Sequence, residues 1–307
     1  MTQDFVLAYD FGGTKIALAT AGLDGSPICR RTLPTSAENG AKAVIGRAIE
    51  AGRQVVDETR KEQPGTLRAV GAATFGVIHG ERIYMAPNVP GWEELPLRRL
   101  LRDAFGIEVV GLENDVKAAT SAELRWGALQ GVDTGLFLNL GTGVAAGLVV
   151  GGRVVRGAHG ASGEIGYNPR SPQEGEGVRH EHAPFEEFAG GRAIGERARH
   201  VLGQDCTLDD LFGDASGNWQ ARQFVDATLD EISFQLCCLA IALDPERIVV
   251  GGGLMRSKDV VLPRLIARLN EFVPFPPQVV EARFSLDAGL MGGIAVALGC
   301  LTASRSP

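Results

Sequence analysis

The stretch Phe5-Val6-Leu7-Ala8-Tyr9-Asp10-Phe11-Gly12-Gly13-Thr14-Lys15-Ile16-Ala17-Leu18-Ala19-Thr20 reads as strand, glycine turn, strand. Phe5 to Tyr9 is an apolar run of strand length, Ile16 to Thr20 is a second, and Gly22 to Gly25 supplies the next turn. Two adjacent glycines let backbone amides approach an anion closely, while Thr14 adds a hydroxyl and Lys15 a cation. The turn therefore has two readings, a plain hairpin and a phosphate loop. It is not a P-loop, because no GxxxxGK[ST] occurs and the next element alternates like a strand.

The arrangement recurs. Leu136 to Leu140 is an apolar strand, Gly141-Thr142-Gly143 is a glycine turn, Val144 to Val150 is a strand, and Gly151-Gly152 turns the chain before Val154-Val155. A polar residue, Asp10 or Asn139, stands just before each glycine turn. This coarse internal duplication predicts two like lobes presenting two phosphate loops to a shared cleft. A chain of 307 residues suits that division, being too long for one ordinary core. A dinucleotide fingerprint is the rival reading of Gly141 to Gly147, with acidic Glu164 about twenty residues on. Against it, the β-branched run to Val150, closed by Gly151-Gly152, offers no helix N-terminus to a pyrophosphate.

Between the two repeats lies Gly111-Leu112-Glu113-Asn114-Asp115-Val116-Lys117. It follows the apolar run Ile107 to Leu112 and precedes a helical segment, Val116 to Gln130. The carboxyl end of a buried strand is where open α/β sheets place their ligands. Asp115 thus reads as a general base or as the N-cap of that helix, and one residue can serve both ends.

The remaining elements frame these stretches. Glu38 to Lys61 is helical and stopped by Pro64-Gly65, Ala69 to Thr74 is a buried strand, Ile83 to Met85 is a short strand, and Pro96 to Phe105 is a short amphipathic helix. Ala86-Pro87-Asn88-Val89-Pro90-Gly91-Trp92 is stiff and non-helical, so Asn88 is held either for an Asx turn or for a ligand hydroxyl. Gly157 to Pro169 sets His159, Glu164 and Tyr167 among glycines, a surface loop or a polyol site. Arg170 to His182 is polar, and Phe185 opens a helix toward His200. Leu208 to Phe212 is a short helical piece, and Asn218 to Leu243 is a long helix. Arg247 to Val250 is a strand ending in Gly251-Gly252-Gly253, where a flat ring or phosphate could meet bare backbone. Lys258 to Glu271 is a helix, Val279-Val280 a strand, and Ala288 to Leu301 a closing apolar helix.

Composition narrows the function class. The net charge of -7 argues against a general nucleic-acid binder, and 45% hydrophobic with 22% charged residues is ordinary for a soluble globular protein. The longest apolar-rich run, Phe234 to Leu243, is too short to span a bilayer. Five cysteines, Cys29, Cys206, Cys237, Cys238 and Cys300, lack CxxC spacing and read as buried thiols in a reducing, cytoplasmic compartment.

Taken together, the segments resemble the ROK family of bacterial sugar kinases, on the actin-like, hexokinase-type fold, over essentially the whole chain. Asp10-Phe11-Gly12-Gly13-Thr14-Lys15 resembles its first phosphate motif and Asn139-Leu140-Gly141-Thr142-Gly143 its second. Glu113-Asn114-Asp115 is similar to the catalytic segment, Pro87-Asn88 to a sugar contact, Gly163-Glu164-Ile165-Gly166 to the signature, and Val249-Val250-Gly251-Gly252-Gly253 to the adenosine motif.

The resemblance implies an α/β, two-lobed, RNase H-like fold with a duplicated mixed β-sheet core and an interlobe cleft. The small lobe would be residues 1–117 with 289–307, and the large lobe 118–288. It implies transfer of the γ-phosphoryl group of ATP to a hexose hydroxyl, most directly the 6-hydroxyl of glucose or an amino hexose, with Asp115 as base. Asn88, Asn114, Asp115, Glu164, Tyr167 and Glu186 would bind the sugar. Asp10, Gly12, Gly13, Thr14, Lys15, Gly141, Thr142, Gly143, Gly251, Gly252 and Gly253 would bind the nucleotide, Asp10 reaching Mg2+ through water. A cytoplasmic homodimer with no nucleic-acid or membrane partner is implied as well.

Two departures stand out. Tyr167 replaces the family's His, and Arg170 to Pro184 contains no cysteine where most members carry a zinc motif. No structural zinc is expected, and the loop must be held in another way or be mobile. His159, His180 and His182 are the remaining candidate metal ligands. Alternative readings are a sugar-responsive, non-enzymatic regulator and a polyphosphate-dependent glucokinase.

Overall fold

The structure, a computed structural model, describes residues 3–202, 211–212, 218–285 and 287–303. The chain forms two compact units, one of Met1–Arg125, Arg156–Ala161 and Asp287–Pro307, the other of Trp126–Val155 and Ser162–Leu286.

In the first unit, β1 (Phe5–Phe11), β2 (Lys15–Gly22) and β3 (Pro27–Pro34) form an antiparallel meander. Helix α1 (Gly40–Glu62) leads to β4 (Leu67–Thr74), parallel to β1. A hairpin of β5 (Val77–His79) and β6 (Arg82–Tyr84) precedes α2 (Leu97–Phe105). The chain then enters β7 (Val110–Asn114), parallel to β4, and α3 (Asp115–Trp126).

The second unit repeats this plan with β8 (Gly135–Leu140), β9 (Val144–Val150) and β10 (Arg153–Val154) as its meander. Helices α4 (Glu186–Ala189), α5 (Gly191–Leu202) and α6 (Trp219–Leu243) precede β11 (Arg247–Gly251). Then come α7 (Lys258–Phe272) and β12 (Gln278–Glu281), and α8 (Ala288–Ala303) returns to the first unit. The strand orders, β3-β2-β1-β4-β7 and β10-β9-β8-β11-β12, have the same topology. The duplication read from two glycine turns thus extends to the sheets.

Side-chain size decides which helix covers which face. On β1, Phe5, Leu7, Tyr9 and Phe11 share one face and join Val44, Ile45, Ala48 and Val55 of α1 in one core. Each such large side chain contributes roughly 1.5–3 kcal/mol when fully buried. The opposite face is lined by Ala8, Gly71 and Gly111, against which α8 lies. A Cβ on Gly71 would come within 2.2 Å of the Gly293 carbonyl, and one on Gly111 within 2.6 Å of Cys300 Sγ. Small residues on both surfaces allow this approach, so Gly71→Val would force α8 off the sheet.

Four sequence-based expectations shift. Strand β7 begins at Val110 rather than Ile107, because Gly106 in the left-handed region (φ 60°) ends α2 and the next residues only connect. Helix α3 stops at Trp126, since residues 127–132 form consecutive turns closed by Gln130 N–H to Gly127 O and Val132 N–H to Leu129 O. The helix expected from Phe185 to His200 is two helices broken at Gly190, whose backbone is extended (ψ 144°). Cys237 is buried but Cys238 is exposed, as neighbouring positions on a helix point about 100° apart. The helical piece expected at Leu208–Phe212 lies largely outside the described residues, as does Cys206.

Candidate active site

The first unit holds the N-terminal glycine turn and the end of β7. Gly12 N–H donates to Lys15 O at 3.0 Å, and Thr35 Oγ donates to Gly12 O at 2.6 Å, which sets the turn while Gly13, Thr14 and Lys15 stay exposed. Asn88 is exposed beside the turn, its side chain 3.6 Å from where a Gly13 Cβ would stand. Its loop is anchored by Trp92, wholly buried, whose indole N–H donates to Thr74 Oγ at 3.0 Å and whose ring lies 5.2 Å from that of Phe11. That anchor was not read from the sequence, although an indole two residues after Pro90 in a stiff loop was its available signal.

Asp10 lies near the end of β1, on the α8 face. Burial pushes its carboxyl up from 3.8 to about 6, with Lys15 as the opposing charge. The first turn of α8 is glycine at the point of contact, for a Cβ on Gly289 would fall 2.4 Å from the carboxylate. A half-buried carboxylate kept clear by a glycine fits a residue that faces a cation. Among the described residues no group of three or more His, Cys, Asp or Glu is placed to hold a metal by itself. His159 instead lies 5.7 Å from the ring of His79.

At the end of β7, the capping role falls to Asn114. Its Oδ1 accepts from the N–H groups of Val116 (3.0 Å) and Lys117 (3.3 Å), and its Nδ2 donates to Gly76 O at 2.9 Å. Asp115 is the first residue of α3, partly buried, with Oδ1 accepting the Val116 N–H at 2.8 Å. Glu113 Oε1 accepts the Asn114 N–H at 3.1 Å. Lys117, two residues beyond Asp115, is 1% exposed, a burial that nothing in the sequence pattern announced.

The second unit collects the other predicted residues. The Gly141-Thr142-Gly143 turn is closed by Gly141 N–H to Gly143 O at 3.0 Å. It receives the Gly191 and Arg192 amides on its Gly141 and Thr142 carbonyls. Val144–Val150 is a strand, so no helix N-terminus follows the turn and the dinucleotide reading lapses. Gly252, with φ at 94°, sits where a Cβ would come within 2.4 Å of the Leu140 carbonyl carbon, so the glycines at the end of β11 lie directly against the β8–β9 turn.

Glu186 is cradled by glycine. Its Oε2 accepts the Val144 N–H at 3.0 Å and lies 2.1 Å from where a Gly143 Cβ would be. Tyr167 is partly buried, and its hydroxyl is raised by burial and then by the carboxylates of Glu186 and Glu164. Glu164, Tyr167 and Glu186 are therefore brought together. Gly163 N-terminal to them is fixed on β9 by Ala146 N–H to Gly163 O at 2.8 Å. Asn168 Nδ2 donates at 3.0 Å to Gln235, a buried amide in apolar α6 that the sequence reading passed over.

The segment without zinc cysteines is held by ion pairs and stacking. His182 Nδ1 lies 3.0 Å from Glu187 Oε2 and its Nε2 lies 3.3 Å from Glu176. Hydrogen bonding to Glu187 raises the His182 pKa, and the Ala183 amide foremost lowers that of Glu187. The guanidiniums of Arg170 and Arg197 stack on Phe188, 3.5 and 3.6 Å from its centroid.

The family model described as ROK family matches residues 6–299. The chain is 28% identical over 324 residues to a glucokinase of Halalkalibacterium halodurans, with 95% of this chain and 94% of that one covered. It is 29% identical over 300 residues to an N-acetylmannosamine kinase of Shigella flexneri, with 96% and 98% covered. Among solved structures, the ROK hexokinase from Thermus thermophilus superposes with a TM-score of 0.79 at 31% identity, covering 98% of this chain and 100% of that one.

Proposed function

This chain belongs to the ROK family and is a sugar kinase on the actin-like fold, and we propose that it moves the γ-phosphoryl group of ATP to the primary hydroxyl of a hexose with Asp115 as general base. The observation that carries this reading is the division of labour after β7. Asn114 Oδ1 takes the first-turn amides of Val116 and Lys117, so the cap of α3 does not require a carboxylate at Asp115, although its Oδ1 also accepts the Val116 N–H. Phosphoryl transfer asks little covalent chemistry of a protein and much positioning, and a base for the attacking hydroxyl is its main proton-handling need.

The glycine turns after β1 and β8 serve the phosphates through backbone amides, and Lys15 adds a cation. The glycines after β11 serve the adenosine. Mg2+ supplies charge neutralisation across the phosphates when bound, and Asp10 is the residue that would hold it through water. Asn88, Asn114, Glu164, Tyr167 and Glu186 are the sugar contacts in this reading. The Tyr167 hydroxyl, kept protonated between two carboxylates, is a donor with an apolar ring behind it. That combination favours an amino or N-acylated hexose over plain glucose.

A homodimer belongs to the same proposal. Helix α6 exposes Phe234, Cys238 and Ile241 four and three residues apart, an apolar stripe on one face. Light scattering should give twice the 32.5 kDa chain mass. The four described cysteines are unpaired, which supports a cytoplasmic setting.

The test is an ADP-release screen over hexoses and amino hexoses with ATP, run beside a polyphosphate-driven assay. Amino hexoses should lead the panel, and Asp115→Ala should lower kcat by roughly a hundredfold or more while remaining folded. Near-normal turnover by folded Asp115→Ala defeats the base assignment, and glucose ahead of every derivative defeats the amino-sugar assignment.

A further inference from the structure

We propose that Arg156 is a positioning residue for the phosphoryl transfer, acting through Glu113 on the segment that carries Asp115. The inference rests on the Asp115 reading above. Residues Arg156–Ala161 belong to the first unit although the chain on both sides belongs to the second. This strap is fixed within the first unit at both ends. At its start, Arg156 Nε donates to Glu113 Oε2 at 2.6 Å. Toward its end, Gly160, with φ at 77°, lies against β5 so closely that a Cβ would come within 2.0 Å of the Ile78 carbonyl.

Glu113 needs that guanidinium. It is 6% exposed, on the sheet face that α8 covers, in register through Ala73 of β4 with Asp10 of β1. An ionised carboxylate buried without a cation is strongly unfavourable. The other guanidinium in this neighbourhood, Arg98, is engaged by Glu81 at 3.0 Å and by the Val110 carbonyl.

The connection from Glu113 to Asp115 is short. Glu113 Oε1 holds the Asn114 N–H, and the Asn114 side chain ties Gly76 to the first turn of α3. Asp115 is part of that turn. If Arg156 is removed, the buried Glu113 carboxylate is driven to turn toward solvent, and that releases the Asn114 amide. Misplacement of a reacting group by about 1 Å costs on the order of a hundredfold in rate.

The experiment compares Arg156→Gln, Arg156→Lys and the double variant Glu113→Gln/Arg156→Gln with wild type and with Asp115→Ala, in an ATP-driven assay with the best hexose. Arg156→Gln should lower kcat by roughly ten- to a hundredfold, with the KM for the hexose changed by less than about threefold. Arg156→Lys should keep most of the rate, because a cation remains. The double variant should recover much of what Arg156→Gln loses, because no charge is then left buried and unpaired. Wild-type kcat in Arg156→Gln overturns the inference, as does a double variant no faster than the single one. A loss of kcat that merely tracks the folded fraction, read by thermal melting, overturns it too. Should Arg156→Gln not fold, Arg156→Lys and the double variant decide. If Asp115→Ala is inactive while the Arg156 variants are normal, this inference alone fails; if Asp115→Ala is active, the base assignment fails first.

Discussion

Asp10→Asn should stabilise the protein in the absence of nucleotide and metal while abolishing most of its activity. Burial raises the Asp10 carboxyl from 3.8 to about 6. The folded chain therefore binds this proton more tightly than the unfolded chain does. Between about pH 4 and 6 the unfolded state carries fewer protons, so stability falls as pH rises through that window and the deficit is complete above it. A displacement of that size corresponds to roughly 3 kcal/mol against the ionised native state. Asparagine has the shape of the protonated acid and removes the deficit. At pH 8 the variant should gain up to about 3 kcal/mol, a melting midpoint several degrees higher for a unit of this size. At pH 4.5, still above the unfolded value, the gain should shrink to about 1 kcal/mol. Urea unfolding at both pH values reads the difference, with the fluorescence of Trp92, buried against Phe11 and Phe75, reporting on the first unit. An equal gain at both pH values, or a loss at pH 8, would refute the reasoning. A loss would mean that Lys15 and the start of α8 favour the charged carboxylate more than burial penalises it.

Three further outcomes follow from the second unit. Gly143→Ala places a methyl where Glu186 Oε2 lies, so the KM for the hexose should rise by roughly tenfold or more with the melting point little changed; an unchanged KM would separate Glu186 from sugar binding. Tyr167→His should move the kcat/KM preference from amino hexoses toward glucose, and an identical panel would remove Tyr167 from specificity. His182 has its pKa raised above 6.5, so its hold on Glu187 is full below about 6.5 and is lost as pH rises through the higher folded value. Amide exchange across residues 171–187 should quicken over that range in the wild type but not in His182→Gln, and a pH-independent wild type would contradict the pairing.

The ion-pair arrangement at His182 also answers a question the missing cysteines raised. The amide bond from Ala183 to Glu187 and the pairs of His182 with Glu187 and Glu176 fasten the turn before α4, and Arg170 and Arg197 clasp Phe188 beyond it. Glu186 stands between those two attachments. A histidine that loses its charge as pH rises is a weaker fastening than a tetrahedral zinc, which is why this segment is the place to look for pH-dependent loosening.

The elements themselves were legible because their signals are local. Apolar runs of strand length, paired glycines between them and their recurrence at Leu136 to Val150 sufficed for two like meanders, and the strand order of each unit agrees. Boundaries set by glycines were less legible, since Gly106, in the left-handed region, and Gly190, extended, act through backbone conformation rather than through hydrophobic pattern.

For the candidate site, sequence alone placed Asp10 and Asp115 at strand ends and Glu164 in a glycine-rich loop, because strand ends and glycine loops are local features. Tertiary structure decided which of those side chains meet. Glu186 reaches the Val144 amide across 42 positions of sequence, only because Gly143 and Gly166 leave room for it. The cap of α3 went to Asn114 because the Gly76 carbonyl, 38 positions away, orients its amide. Arg156 found Glu113 because the strap joins the first unit. Periodicity and propensity act between neighbours in the chain, whereas a buried charge or amide takes its partner from whatever the fold brings within about 3 Å.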